Sequence, residues 1–186
     1  MNPIKNKKDL QTTIDEIRNF AYTYIEKYSP SKQQLRIYLF KKLILKKHKI
    51  SNKKELFTLI DTVISSLEEQ KLLSDKLYSQ SKAKAFLKRG YSLNKIRYAL
   101  IKKGIDEKYV KSSISKIKEN ETDPDFFSAI KICKKRKIGP SREDSNRPLF
   151  YKKDIGILAR SGFSYDTSKK VLDIPKEEFK KFCKLL

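Results

Sequence analysis

Between Lys82 and Lys118 the chain carries twelve basic and two acidic residues. Lys84, Lys88 and Lys95 surround one turn, with Arg89 and Arg97 beside them. Lys102 and Lys103 mark the end of a helix, and Lys111 lies in the next one. Cations set along a stripe neutralise phosphates and release the counterions condensed on a nucleic acid. These eight residues form the candidate contact surface for a polyanion such as DNA. A solvated face explains any one lysine equally well, and Lys102 and Lys103 also suit the negative end of a helix dipole. Tyr78, Tyr91, Tyr98 and Tyr109 interleave with the cations. An aromatic ring can stack on an unpaired base, and at helical spacing it can equally be a half-buried packing residue.

Other chemistry finds little support. The only histidine, His48, falls in a basic linker and reads as solvent-facing. The five glycines form no phosphate loop. Ser, His and Asp occur without a nucleophile elbow. Glu68 and Glu69 read as surface residues near a helix end. Cys133 and Cys183 lack metal-ligand spacing and read as buried free thiols. The expectation is no enzyme, no metal and no cofactor.

The elements that position the stripe are three short helices, over 75–88, 93–102 and 107–118. Gly90 and Gly104 stop the first two because glycine accepts positive φ without a side-chain clash. Ser74, Ser92 and Asp106 precede the helical runs and can cap them. Leu93, Ile96, Leu100 and Ile101 form one apolar stripe; Val110, Ile114 and Ile117 form another. So small a unit buries little surface alone and needs neighbours like itself.

Two such neighbours are legible. Upstream, the reading gives helices over 13–28, 32–46 and 55–70. Residues 1–13 form a flexible basic start, and 47–54 form a polar linker. Thr12 or Thr13 caps the first helix, with Ile14, Ile17, Ala21, Tyr24 and Ile25 inward. Pro30 ends that helix. Leu35, Leu39 and Leu43 face inward on the second, widened by Phe40 and Ile44. Leu56, Leu59, Ile60, Val63 and Leu67 do so on the third. Downstream, Thr122 or Asp123 caps a helix that has Pro124 at its first position and runs to about 136. Phe127, Ile130 and Cys133 or Lys134 follow on one face. A loop over 137–147 turns at Gly139-Pro140. A helix over 148–160 then stops at Gly162. Leu158 matches Leu100, Phe163 matches Ile105, and Leu172 matches Ile114. Pro175 starts a short tail helix with Phe179, Phe182 and Cys183 inward. The expected fold is all-α: three-helix repeats at 14–70, 75–119 and 121–172, then a tail at 173–186, forming an elongated curved array.

The central residues also resemble a known family. Asp75 after Leu72-Leu73-Ser74, then Arg89-Gly90-Tyr91-Ser92, then Ile96, Leu100, Lys103, Gly104 and Ile105 resemble the middle repeat of the RecX family. Ala21-Tyr22 with Tyr24-Ile25 resembles that family's opening. Leu158-Ala159-Arg160-Ser161-Gly162-Phe163 resembles its closing segment. Leu77-Tyr78-Ser79 departs from a usual phenylalanine–alanine pair, and Ser161 stands where an arginine is common. The resemblance implies tandem three-helix repeats with structural turns at Asp75, Gly90, Gly104 and Gly162. It implies a regulator of DNA recombination, repair and the SOS response. Its partner would be the RecA recombinase filament on single-stranded DNA, with inhibition as the usual outcome.

With 186 residues and a formal charge of +22, the chain attracts polyanions. Single- and double-stranded DNA are expected partners through their phosphates. No apolar run suits a membrane span and the N-terminus lacks a secretory core, so a cytoplasmic monomer is expected. Two further readings stay open. One is a non-specific DNA binder using a helix-turn-helix-like pair at 93–118, with Ser112, Ser113 and Ser115 offered to bases. The other is a structural adaptor whose charge reflects genome composition.

Overall fold

A computed structural model describes the backbone of residues 7–45 and 53–186, and the side chains of 14–44 and 53–186. The extreme N-terminus and most of the linker, His48 included, lie outside the described residues. The fold is all-α. Its helices are α1 (Lys7–Tyr28), α2 (Lys32–Leu45), α3 (Lys53–Glu69), α4 (Asp75–Lys88) and α5 (Leu93–Ile101). They continue with α6 (Glu107–Asn120), α7 (Pro124–Arg136), α8 (Arg147–Arg160), α9 (Tyr165–Leu172) and α10 (Lys176–Lys184). Short 3-10 turns occupy Gly139–Ser141 and Asp144–Asn146. Two compact units result: Met1–Tyr78 with Lys103–Ile105, and Ser79–Lys102 with Asp106–Leu186.

In the first unit α1, α2 and α3 pack on one another. Ile17, Ala21, Leu35, Leu39, Leu43, Ile60 and Leu67 form its buried centre. Ile14, Tyr24, Ile25, Phe40 and Leu59 pack against it, partly buried. α1 begins at Lys7, so its backbone is already helical at Thr12 and Thr13, which do not stand at its start. Ile44 is 47% exposed and does not widen the inner face of α2, because it falls beside the Leu35–Leu39–Leu43 row. Ile64, not anticipated, is buried.

In the second unit α5 packs on α6, and α9 packs on both α7 and α8. Ile96, Leu100 and Val110 are fully buried. Ile101 is 42% exposed, off the row its neighbours make. Phe126, Ala129, Ile130, Cys133, Leu158, Val171 and Leu172 build a further core cluster, covered by Phe179 and Phe182 of α10. Cys133 and Cys183 are free thiols. Burial pushes the Cys133 thiol up to about 12, which keeps it protonated and inert.

The helix starts are fixed by side chains. Ser74, Ser92, Asp106, Asp123 and Ser164 each accept a first-turn N–H of the following helix. Ser31 does the same at α2, and Gln34 returns the bond to the Ser31 N–H. Two of these serines do more. In the first unit, the Ser31 hydroxyl accepts the Gln34 N–H at 3.2 Å and donates to the Lys103 carbonyl at 2.9 Å. Asp75 accepts the Lys32 N–H at 2.9 Å. In the second unit, the Ser92 hydroxyl accepts the Lys95 N–H at 3.2 Å and donates to the Ser161 carbonyl at 3.0 Å. Asp125 accepts the Leu93 N–H at 2.7 Å. The arrangement thus occurs twice.

Each carbonyl that receives a serine belongs to the residue before a glycine. Gly104 has φ +76° and Gly162 has φ +89°. A Cβ on Gly104 would overlap the Gln33 side chain, and one on Gly162 would lie 2.5 Å from Ser92 Oγ. Gly90 also has positive φ, +82°.

A second buried carboxylate acts within the second unit. Arg142 donates twice to Asp154, at 2.8 and 2.9 Å, and the Gly139 N–H donates at 2.8 Å. Burial alone would raise the Asp154 carboxyl, but these three donors outweigh it and hold the group below its ordinary value. Burial also acts on Asp125. There it outweighs the Leu93 N–H, so that carboxyl is raised.

Two predictions follow from this geometry. Gly162→Ala should destabilise by ~1–2 kcal/mol from the left-handed backbone alone, with an added loss as Ser92 is pushed off its partners. Ser92→Ala should cost about 1 kcal/mol. Since both variants act on one contact, the double variant should melt higher than the sum predicts. Additive melting shifts would refute the coupling. The second prediction concerns acid. An unfolded aspartate titrates near about 3.9. The depressed Asp154 stabilises the fold above that value, and the contribution is lost as pH falls through its lower folded value. Asp125 has the opposite sign, its ionised form becoming a cost as pH rises through its raised value. Asp154→Asn should therefore lower stability at neutral pH by about 3 kcal/mol and flatten the loss between neutrality and strong acid. Denaturant midpoints measured across pH will check both features.

Candidate nucleic-acid interface

The basic stripe falls mainly on α4, α5 and α6 of the second unit; Lys103 is grouped with the first unit. Lys84, Lys88, Arg89, Lys102 and Lys111 are exposed, and Lys95 and Lys103 are half-buried. The α5 residues point two ways. Arg97 turns toward α6 and pairs with Glu107 at 2.7 Å. Lys95 lies with its ammonium 4.5 Å from the centre of the Tyr91 ring. Lys102, seven residues beyond Lys95, returns to the same face of the helix.

Arg97 and Lys111 meet in a groove between α5, α6 and the start of α7, where Asn94, Lys118, Glu107 and Asp125 also line the wall. Both carboxylates there are engaged, Glu107 by Arg97 and Asp125 by the Leu93 N–H. The groove also presents Lys111 and Lys118, the latter within electrostatic reach of Asp125. Lys118 was not among the candidates. Its signal was available: Lys111, Ser115 and Lys118 recur four and three residues apart on one face of α6.

The tyrosines separate by burial. Tyr78 is 7% exposed and cannot reach a base. Burial first, then the neighbouring Asp75 and Tyr24, raises its phenol. Tyr91 is half-buried and stacks on Phe86 with ring centres 5.1 Å apart. Tyr109 is half-buried with Lys108 over its ring at 4.9 Å. Tyr98 is 66% exposed. Ser113 is 2% exposed and shares a 2.9 Å hydrogen bond with Ser79, so it cannot read a base from α6. Ser115 is exposed and Ser112 half-exposed.

Of the residues named as structural turns, the three glycines lie at helix ends. Asp75 does something the sequence reading missed. It is 4% exposed and caps α2 from the start of α4. Among the described residues, no group of three or more His, Cys, Asp or Glu could hold a metal ion. Nor is any helix among them long and apolar enough to cross a membrane.

No protein-family model matches the chain, and no solved structure matches it significantly. Among characterised proteins it is similar to the regulatory protein RecX of Myxococcus xanthus, 29% identical over 171 residues that cover 90% of this chain and 89% of that relative. It is also similar to the regulatory protein RecX of Clostridium perfringens, 30% identical over 107 residues, covering 58% of this chain and 49% of the relative. The protein of the same name from Clostridium botulinum is 32% identical over 114 residues, covering 61% of this chain and 51% of that relative. The matched segment thus spans about half the length of the clostridial relatives. These similarities across three species support a relationship to the RecX family.

The surface predicts a graded salt response. Binding to duplex DNA should weaken as salt rises, and each phosphate contact removed should reduce the log–log slope by ~0.9. Lys102→Ala and Lys111→Ala should each do so. Glu107→Gln should strengthen binding, because it removes a negative charge and loosens Arg97. A flat salt response, or weaker binding by Glu107→Gln, would count against this surface.

Proposed function

We propose that this chain is a regulatory protein that binds a recombinase filament on single-stranded DNA and lowers its activity. The observation that carries the reading is the similarity to a regulatory protein RecX over nine tenths of both chains. The charge of +22 and the lysines of α4 to α6 support it, since they complement the phosphates of the strand inside such a filament. In this reading the protein is not an enzyme. Three three-helix repeats, 14–70, 75–119 and 121–172, dock in series along the filament, and each docked repeat raises the effective concentration of the next. The partner is the RecA-type recombinase of the same cell.

A second reading, a non-specific DNA binder, is favoured by one observation. The pair α5–α6 is joined by the short Lys102–Asp106 turn and places Lys111, Ser115 and Lys116 on an exposed side of its second helix.

One experiment separates the two. The cognate recombinase is assembled on single-stranded DNA with ATP, and the full chain is added while hydrolysis and strand release are followed. A filament regulator lowers hydrolysis at amounts well below one protein per recombinase subunit. A protein that acts only in enough excess to coat the DNA is competing for phosphates, and the second reading then holds.

A further inference from the structure

Tyr98 stands on the side of α5 that the core does not use. Ile96 and Leu100 are fully buried, whereas Tyr98 is 66% exposed. Among the described residues its ring meets no other ring or cation, and its hydroxyl has no hydrogen-bond partner. Two thirds of this residue is thus open to a ligand.

Its neighbours on that face follow a pattern. Lys95, Tyr98 and Lys102 are spaced three and four residues apart, which aligns them along one side of α5, and Tyr91, just ahead of the cap Ser92, lies under Lys95. The pattern alternates ring and cation. Lys95 lies over Tyr91, whose ring also stacks on Phe86, so Tyr91 is occupied. Lys102 follows Tyr98 at the same interval, and Tyr98 is open. Lys95 and Lys102 stand about 10 Å apart along the axis, one on each side of the Tyr98 turn. α5 holds no acidic residue, so a polyanion laid along it meets no like charge on this helix.

We propose that Tyr98 is a stacking platform for an unpaired nucleotide base, with Lys95 and Lys102 holding the flanking phosphates. This face of α5 then prefers a single strand to a duplex. In a duplex the base faces are covered by their stacked neighbours and offer the ring nothing, while the phosphates remain available to both lysines. The inference rests on the reading that the protein works on single-stranded DNA.

The test uses the full chain without recombinase, so it stands or falls apart from filament regulation. Binding is measured by anisotropy to a labelled oligothymidylate and to a duplex of equal length. Tyr98→Ala should weaken the single strand about tenfold, within the range that one stacked base supplies, and change the duplex by less than about twofold. Tyr98→Phe should bind as wild type, because stacking needs the ring and not the hydroxyl. Lys102→Ala should weaken both. The chain contains no tryptophan, so Tyr98→Trp supplies a single indole whose fluorescence should be quenched by the oligothymidylate and not by the duplex. Equal losses on both nucleic acids with Tyr98→Ala, no loss at all, or an unquenched indole would overturn the proposal.

Discussion

A serine hydroxyl that accepts and donates at once joins the start of one helix to the end of another. The start of any α-helix leaves four N–H groups without intrahelical partners. At α2 and α5 a buried serine accepts one of them and passes its own proton to a distant carbonyl, Lys103 in one unit and Ser161 in the other. An aspartate from a later helix takes the first N–H of each, that of Lys32 or Leu93. Only a hydroxyl serves at the serine position. An aspartate could accept but could not donate, and a larger side chain has no room, since Ser31 and Ser92 are both fully buried. The carbonyl on the receiving side lies immediately before a glycine, where Gly162 leaves no space for a Cβ against Ser92. Serine and glycine are therefore sterically coupled at Ser92 and Gly162, whereas at Gly104 a Cβ would meet Gln33.

That dependence explains what the sequence could reveal. The helices were legible because apolar periodicity, capping residues and glycine stops are local signals. Ile17, Leu39, Ile60 and Leu67 all read as inward and are all buried. The link between elements was not legible, because its partners are separated by 32 to 72 positions. Asp75 accordingly read as a turn residue, although it is a buried cap for α2, and Asp125 drew no notice. Exposure was misjudged where a residue adjoined an apolar row, as at Ile44 and Ile101. On the candidate surface, charge counts gave the region but not its division. Which lysines share a face depends on helix phase, and the pairing of Arg97 depends on where Glu107 stands across the turn.

The two faces of α5 differ in what they can offer a polyanion. On the α6 side the guanidinium is held by Glu107, so part of its charge is already balanced within the protein. Such an exposed pair is worth little to stability, but it fixes the guanidinium at the groove wall. On the opposite side, Lys95 and Lys102 make no ion pair among the described residues; Lys95 rests over the Tyr91 ring and Lys102 is exposed. A phosphate would meet less competition there. Helix phase thus decides which part of a uniformly basic sequence is electrostatically open.

The segment from α7 to α9 uses the same physics through different residues. Asn146, ahead of α8, makes no capping bond with its side chain. The serine-and-aspartate arrangement found at α2 and α5 is therefore not built at α8. Instead Asp154, inside α8, reaches the Gly139 N–H at the start of a 3-10 turn, and Arg142 closes over it with two further bonds. Arg147 adds bonds to the carbonyls of Leu172 and Ile174 at the end of α9. Asp75, Asp125 and Asp154 thus share one role. Each is a carboxylate on one helix that satisfies the first N–H groups of another element. The loop at 137–147 looks irregular in sequence because its anchor is a buried ion pair with an arginine supplied by the loop itself. The Arg142–Asp154 pair thus holds the Gly139 turn in a stretch where no serine cap is built.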